Sequence, residues 1–279
     1  MKPTILAPLD GTPAAAAALP VARGLAALED AVVQVMHVDG PAGTPPDPAA
    51  LGISAEQLGG ARLTTIEGEP AEQIVRVAVE RMSRCIVLCT HTRPIPPPRA
   101  LGHVTRQVLR TAPCPVLLVP PTRRAERWVP RRILLPHDGT PATAAALAPA
   151  ADLAERAGAE LHVVHIAAPT AATRTQPGTL RAPRYLDQPQ HEWPAWAREF
   201  LERMAALGGR AALRLRLSIT SGDPGREILR FAREHDADLV VLASSGHWEP
   251  ARAAAIRAVI EGTERPILIV RAGTESSLA

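Results

Sequence analysis

A chain of 279 residues is long enough for two ordinary domains, and a hydrophobic share of 46% can fill both cores. Aromatic residues make up only 3%, so those cores must be built from Ala, Val, Leu and Ile, the mixture expected of buried parallel strands covered by Ala-rich helices. The formal charge of +3 is carried almost wholly by arginine, Lys2 being the one lysine; this reads as coding bias, and a nucleic-acid partner is not expected.

No apolar run approaches the roughly 20 residues needed to span a bilayer, and the N-terminal run is too short for a signal peptide. A cytoplasmic protein with no membrane partner is expected. Cys85, Cys89 and Cys114 form no even-numbered framework, in keeping with a reducing compartment.

In chain order, Thr4 to Leu9 reads as a short buried strand ending in Asp10-Gly11-Thr12-Pro13, with Thr12 the predicted N-cap and Pro13 the first residue of an Ala-rich helix. Val32 to Val38 is a second strand, and Gly68-Glu69-Pro70 opens a helix through Ile74. The apolar strand from Cys85 to Leu88 then meets a polar, proline-broken loop; Gly102-His103 starts another helix, and Val116 to Val119 is a last strand. A loop followed by a glycine and a helix N-terminus suits an anion, because backbone N–H groups can approach it and the helix end carries partial positive charge.

The same unit begins again at Arg132. Asp138-Gly139-Thr140-Pro141 repeats the first turn, Glu160 to Ile166 the second strand, Ser221-Gly222-Asp223-Pro224 the second turn, Leu239 to Leu242 the fourth strand and Pro266 to Val270 the last. The offset between copies is 128 residues at Asp138, 154 at Pro224 and 151 at Pro266. Copy two has thus gained a segment between its second and third strands and lost three residues in the loop region. The implied layout is a first domain at 1–122, a linker at 123–130, a second domain at 131–273 with an added segment at about 168–210, and a tail at 274–279. The basic cluster Arg123, Arg124, Arg127, Arg131 and Arg132 reads as a solvated linker, and Trp193, Trp196 and Phe200 of the added segment as a helix face packed on its own domain, with a subunit contact as the alternative.

Each copy alternates strand and helix, which gives an α/β fold: an open, parallel, flavodoxin-like or Rossmann-like sheet with helices on both faces and a crevice at the carboxyl ends of its strands. Asp10, Val38, Cys89 and Gly102 all fall at that end.

Competing chemistry is thin. Cys89, His91 and His103 form a zinc-compatible or redox-capable set, but without compact ligand spacing. Cys85 and Cys114 read as core residues. His137 and Asp138 are adjacent on a strand and so face opposite sides, which argues against a dyad, and Ser244-Ser245 lacks the setting of a hydrolase nucleophile.

The turn at Asp10, the Gly68-Glu-Pro-Ala segment and above all Gly102-His-Val-Thr-Arg-Gln-Val-Leu-Arg-Thr-Ala-Pro-Cys-Pro-Val-Leu-Leu-Val119 resemble a universal stress protein domain. Ala237-Asp-Leu-Val-Val-Leu-Ala-Ser-Ser-Gly-His247 is similar to the same family's fourth strand and loop, so the likeness covers both copies. The resemblance implies a tandem protein of this family, with its two domains packed as an intramolecular pseudo-dimer through antiparallel pairing of residues 116–119 with 267–270. It also implies adenine-pocket positions at Asp10 and Val38, with Asp138 and Ile166 as their counterparts. ATP-binding members carry Gly, two residues, Gly, nine residues, then Gly with Ser or Thr, a pattern that wraps the backbone around the triphosphate. Here those positions hold Cys89, Thr92, Gly102 and His103 in copy one, and Ala243, Gly246, Ala253 and Ala254 in copy two. One glycine survives in each, which argues against tight ATP binding. The expected function is a non-enzymatic stress-response or regulatory protein with degraded ATP-binding loops. The alternatives are an ATP-binding member with weak ATPase activity or nucleotide-gated signalling, and a metal or redox sensor at Cys89, His91 and His103. A homodimer built on the added segment and an unidentified protein partner are both compatible with the sequence.

Overall fold

In the computed structural model the described residues are 2–39, 51, 53–90, 101–121, 128–167, 198–200, 202, 212–244 and 250–272. By internal contacts they divide into two compact units. The first holds Met1–Val129 together with Glu264–Ile269, and the second holds Pro130–Thr263 and Val270–Gly273.

The first unit is a parallel sheet of β1 (Thr4–Leu9), β2 (Val32–Asp39), β3 (Leu63–Glu67), β4 (Ser83–Cys89) and β5 (Val116–Val119), in the order β3-β2-β1-β4-β5. Every residue of β1 is buried, as its uninterrupted apolar run requires of a central strand covered on both faces. It pairs in parallel with β2, Leu9 lying beside His37, and with β4. The crossovers are α1 (Ala18–Leu28), the short α2 (Ala55–Leu58), α3 (Pro70–Glu80) and α4 (His103–Thr111). α3 buries Ala71, Ile74, Val77 and Ala78, one face of a 3.6-residue period. The order turns at β1, where β2 leaves on one side and β4 on the other, and this opens a crevice at the carboxyl ends.

This unit also gains a strand from the far end of the chain. Within β10 (Ile267–Arg271), Ile267, Leu268 and Ile269 pair antiparallel with Leu118, Leu117 and Val116. The predicted pairing of the two last strands is present with this register, and it covers the free edge of β5.

The second unit repeats the architecture with β6 (Arg132–His137), α5 (Pro141–Ala144), α6 (Leu147–Ala157), β7 (Glu160–Ala167), β8 (Arg214–Ser221), α7 (Pro224–Glu234), β9 (Leu239–Ser244) and α8 (Pro250–Gly262). Its parallel strands run β9-β6-β7-β8. Asp223 caps α7 by accepting from the Arg226 N–H at 2.9 Å, and Ile228, Phe231 and Ala232 turn inward.

The segment expected to be a solvated linker has a buried end. Trp128 is wholly buried and packs on Gly24 of α1, where a side chain would collide with the Trp128 carbonyl. Phe200 of the added segment is buried edge-on to His137, with ring centroids 5.7 Å apart. Trp193 and Trp196 lie outside the described residues. Among the described residues no helix is long and apolar enough to cross a membrane.

Candidate functional site

The crevice of the first unit holds a cleft of about 310 Å³. Three strand ends contribute to it: Leu9 at the end of β1 with Asp10 after it, Val38 near the end of β2, and Leu88 and Cys89 at the end of β4. The helices close it, with Pro70 and Ile74 from α3 and His103, Val104 and Thr105 from α4 behind Gly102.

The turn after β1 is fixed by its own side chains. Asp10 Oδ1 accepts from the Thr12 N–H at 3.0 Å and from the Thr12 hydroxyl at 2.7 Å, while Gly11 takes the left-handed φ of +81° that the turn requires. Thr12 stands at the predicted N-cap position, but its hydroxyl serves Asp10 and makes no cap bond. The second copy builds a tighter version. Asp138 Oδ1 accepts from Thr140 N, Thr140 Oγ1 and Thr143 Oγ1 at 2.9, 2.6 and 2.8 Å, and Gly139 has φ +82°.

Cys89 is half-buried on the cleft wall, and its thiol donates to the Ala14 carbonyl at 3.2 Å. Burial first, and the neighbouring Asp10 second, push this thiol up to about 12. A thiol held protonated is the opposite of a reactive or metal-binding thiolate. Among the described residues no group of three or more His, Cys, Asp and Glu is placed to hold a metal ion; His91 of the zinc-compatible set lies outside them. Gly102 is the N-cap of α4, and among the described residues nothing lies within 4 Å of a Cβ placed on it.

The histidines at the ends of the second strands are structural. His37 Nδ1 donates to the Leu9 carbonyl at 2.7 Å, and His165 is buried beside His137 in the register of β6 with β7. His137 Nδ1 accepts from the Gly139 N–H at 2.7 Å, which assigns the proton of the neutral ring to Nε2.

The structure thus brings Asp10, Val38, Gly102 and His103 to one cleft, with Cys89 among them. Asp138 and Ile166 sit at the matching strand ends of the second unit. Thr92 and Gly246 lie outside the described residues. Sequence reasoning missed Thr105, the hydroxyl that lines the cleft two residues beyond His103; its place in the first turn of a helix opening on the crevice was the available signal.

The family model described as the universal stress protein family matches residues 1–120 and again residues 130–271. The chain belongs to the universal stress protein family. A universal stress protein of Bacillus subtilis, YxiE, is 27% identical over 145 residues, which is 50% of this chain and 98% of that protein. Two crystal structures match nearly the whole chain: a putative universal stress protein of Pseudomonas aeruginosa UCBPP-PA14 and a functionally unknown protein of Pseudomonas aeruginosa PAO1. Their TM-scores are 0.65 and 0.64 at 20% and 18% identity; each covers 97% of this chain, and 93% and 92% of the respective structures. At that identity they speak for the fold. The cleft lies in the first universal stress domain, and the tighter Asp138 turn belongs to the second.

Proposed function

We propose that this tandem universal stress protein is a non-enzymatic regulatory protein of the stress response, whose first domain holds an adenine-type ligand and whose second domain is chiefly structural. The observation that carries this reading is the cleft of about 310 Å³ on which Asp10, Val38, Gly102 and His103 converge. It has the apolar walls and few polar groups of a small-molecule pocket. The degraded loop pattern and the protonated Cys89 thiol favour binding over chemistry, and ATP is a weak ligand at best. The two copies are proposed to pair within one chain through their last strands, as the register of β10 with β5 supports.

Titration calorimetry of the full chain with adenosine, AMP and ATP tests the ligand, and chromatography of incubated ATP tests the chemistry. Binding that weakens roughly tenfold or more in Asp10→Ala, the loss of a charged hydrogen-bond acceptor, with ATP recovered intact, is expected. Absence of any binding at millimolar ligand sinks the ligand assignment, and steady release of ADP sinks the non-enzymatic one.

A further inference from the structure

Near the amino ends of its strands the second domain sets two histidines against each other. Glu160 and His162 lie two residues apart in β7 and so face the same side of the sheet. The register places Arg132 and Leu134 of β6 on one flank of that pair and Arg214 and Arg216 of β8 on the other. α7 packs on this face through Phe231 and through His235, the residue at its C-terminal cap, whose ring centroid is 4.6 Å from that of His162. His162 is buried and His235 half-buried. Nε2 of His162 lies 2.8 Å from the Ser218 hydroxyl, while its Nδ1 is buried with no hydrogen-bond partner among the described residues. The hollow that both rings line with Arg132 and Glu160 measures about 10 Å³, the lower bound for a single water. The contact is a joint between helix and sheet, too tight for a ligand.

The turn after α7 hangs on this joint. His235 leads into Asp236, whose φ of +46° is a left-handed conformation that a non-glycine residue adopts at a cost. Two residues on, Asp238 Oδ2 accepts from the Arg131 and Arg132 N–H groups at 2.9 and 3.0 Å, and the Asp238 N–H donates to the Arg132 carbonyl at 2.8 Å. The start of β6 is thereby clipped to the turn that His235 anchors. A proton on His162 meets His235 and Arg216, with Arg132 on the wall of the same hollow. Of the remaining charges, Glu160 lines the hollow, Asp236 is 3.7 Å from Arg132, and Arg230, over the Phe231 ring, is paired with Glu227 and Glu234. Arg214 donates to the Gly158 carbonyl. The closed contact therefore keeps a proton off His162 and an open one admits it, so acid favours opening. His235, at a helix end, can swing out without breaking a strand pairing.

We infer that the His162–His235 contact is an acid-released latch: His235 swings off β7, His162 takes up a proton, and the turn from His235 to Asp238 lets go of the start of β6 while the sheet of the second domain stays paired. This device is independent of the ligand reading of the first domain.

Native-state amide hydrogen exchange of the full chain, corrected for the intrinsic pH dependence of exchange, tests it. Between pH 7 and pH 5 the protection of Arg131, Arg132, Ala237 and Asp238 is expected to fall by about tenfold or more. At pH 5 that exchange should be insensitive to low urea, the mark of a local opening, while Leu134 and Val163 in the sheet stay better protected and respond to urea. Either His235→Gln or His162→Gln is expected to cut the fall to below about threefold; the half-buried His235 site keeps the test available if the His162 variant folds poorly. Turn amides that follow the sheet amides in urea, protection at the turn unchanged by acid, or a full pH response in His235→Gln overturns the inference.

Discussion

The carbonyl of Trp128 lies directly over Gly24 of α1, in space that any Cβ at position 24 would occupy. Two effects compete in Gly24→Ala. Alanine favours the helix by about 1 kcal/mol, but the obstacle is main chain, which cannot rotate aside, and overpacking costs typically 1–3 kcal/mol. The clash wins on these magnitudes. The expected outcome is a lower urea midpoint with an unchanged slope; a rise in midpoint would show that the Trp128 segment lifts away at little cost.

Acid should weaken the second domain. His162 is buried, with Nε2 2.8 Å from the Ser218 hydroxyl and His235 stacked edge-on at 4.6 Å. Burial, then His235 and Arg216, lower it from 6.5 to about 4. Glu160 and Arg132 face the same small hollow. His165 is lowered to about 4 as well, by burial and then His137, with Asp138 opposing. Since the folded-state values are depressed, the unfolded chain binds more protons between pH 6.5 and 4. Stability is therefore fully present above pH 6.5 and falls on acidification to about 4, by roughly 3 kcal/mol for a buried histidine at the end of that window. Urea melts at pH 7, 5.5 and 4.5 measure the slope, and His162→Gln should flatten it.

The paired turns make a comparison within one molecule. Asp138 Oδ1 accepts from Thr140 N, Thr140 Oγ1 and Thr143 Oγ1, and Asp10 Oδ1 from Thr12 N and Thr12 Oγ1. Each Asp→Ala substitution should cost about 1–2 kcal/mol of stability, while only Asp10→Ala should reduce ligand binding. Thermal unfolding and calorimetry on the two variants read these effects separately.

All three thiols are held protonated. Burial pushes Cys89 and Cys114 up to about 12 and raises Cys85 well above its ordinary value. At pH 8 the thiolate fraction is cut by three orders of magnitude or so, and alkylation by iodoacetamide should be correspondingly slow in the native chain and rapid in urea. Fast labelling of Cys89 in the folded protein would revive the redox-sensor reading.

The fold was legible because its signals are local and repeated. Asp-Gly-Thr-Pro after an apolar strand, found twice in register with four further matches, leaves few arrangements other than two doubly wound sheets. The carboxyl ends of the strands are equally readable, and the alternation of strand and helix places Asp10, Val38 and Gly102 at that end. What escaped was long-range. Nothing near Trp128 in the sequence shows that an Arg-rich connection ends in a buried indole; the hint is one of just four tryptophans in a chain with 3% aromatic residues. Thr105 and the burial of His162 depend on which way a helix and a strand face, and this is settled only by packing. Thr12 was assigned to the helix cap, but a neighbouring carboxylate competes for the same hydroxyl and wins it.

The strand that completes the first sheet is made long after its neighbours. Ile267–Ile269 must meet Val116–Leu118, and the two are separated by about 150 residues, on the order of ten seconds of ribosomal synthesis. Throughout that interval the nascent first domain carries an exposed apolar edge. Its maturation is therefore timed by the synthesis of β10, and a ribosome stalled in the second copy would display an unfinished sheet open to chaperones or to the nascent chains of neighbouring ribosomes.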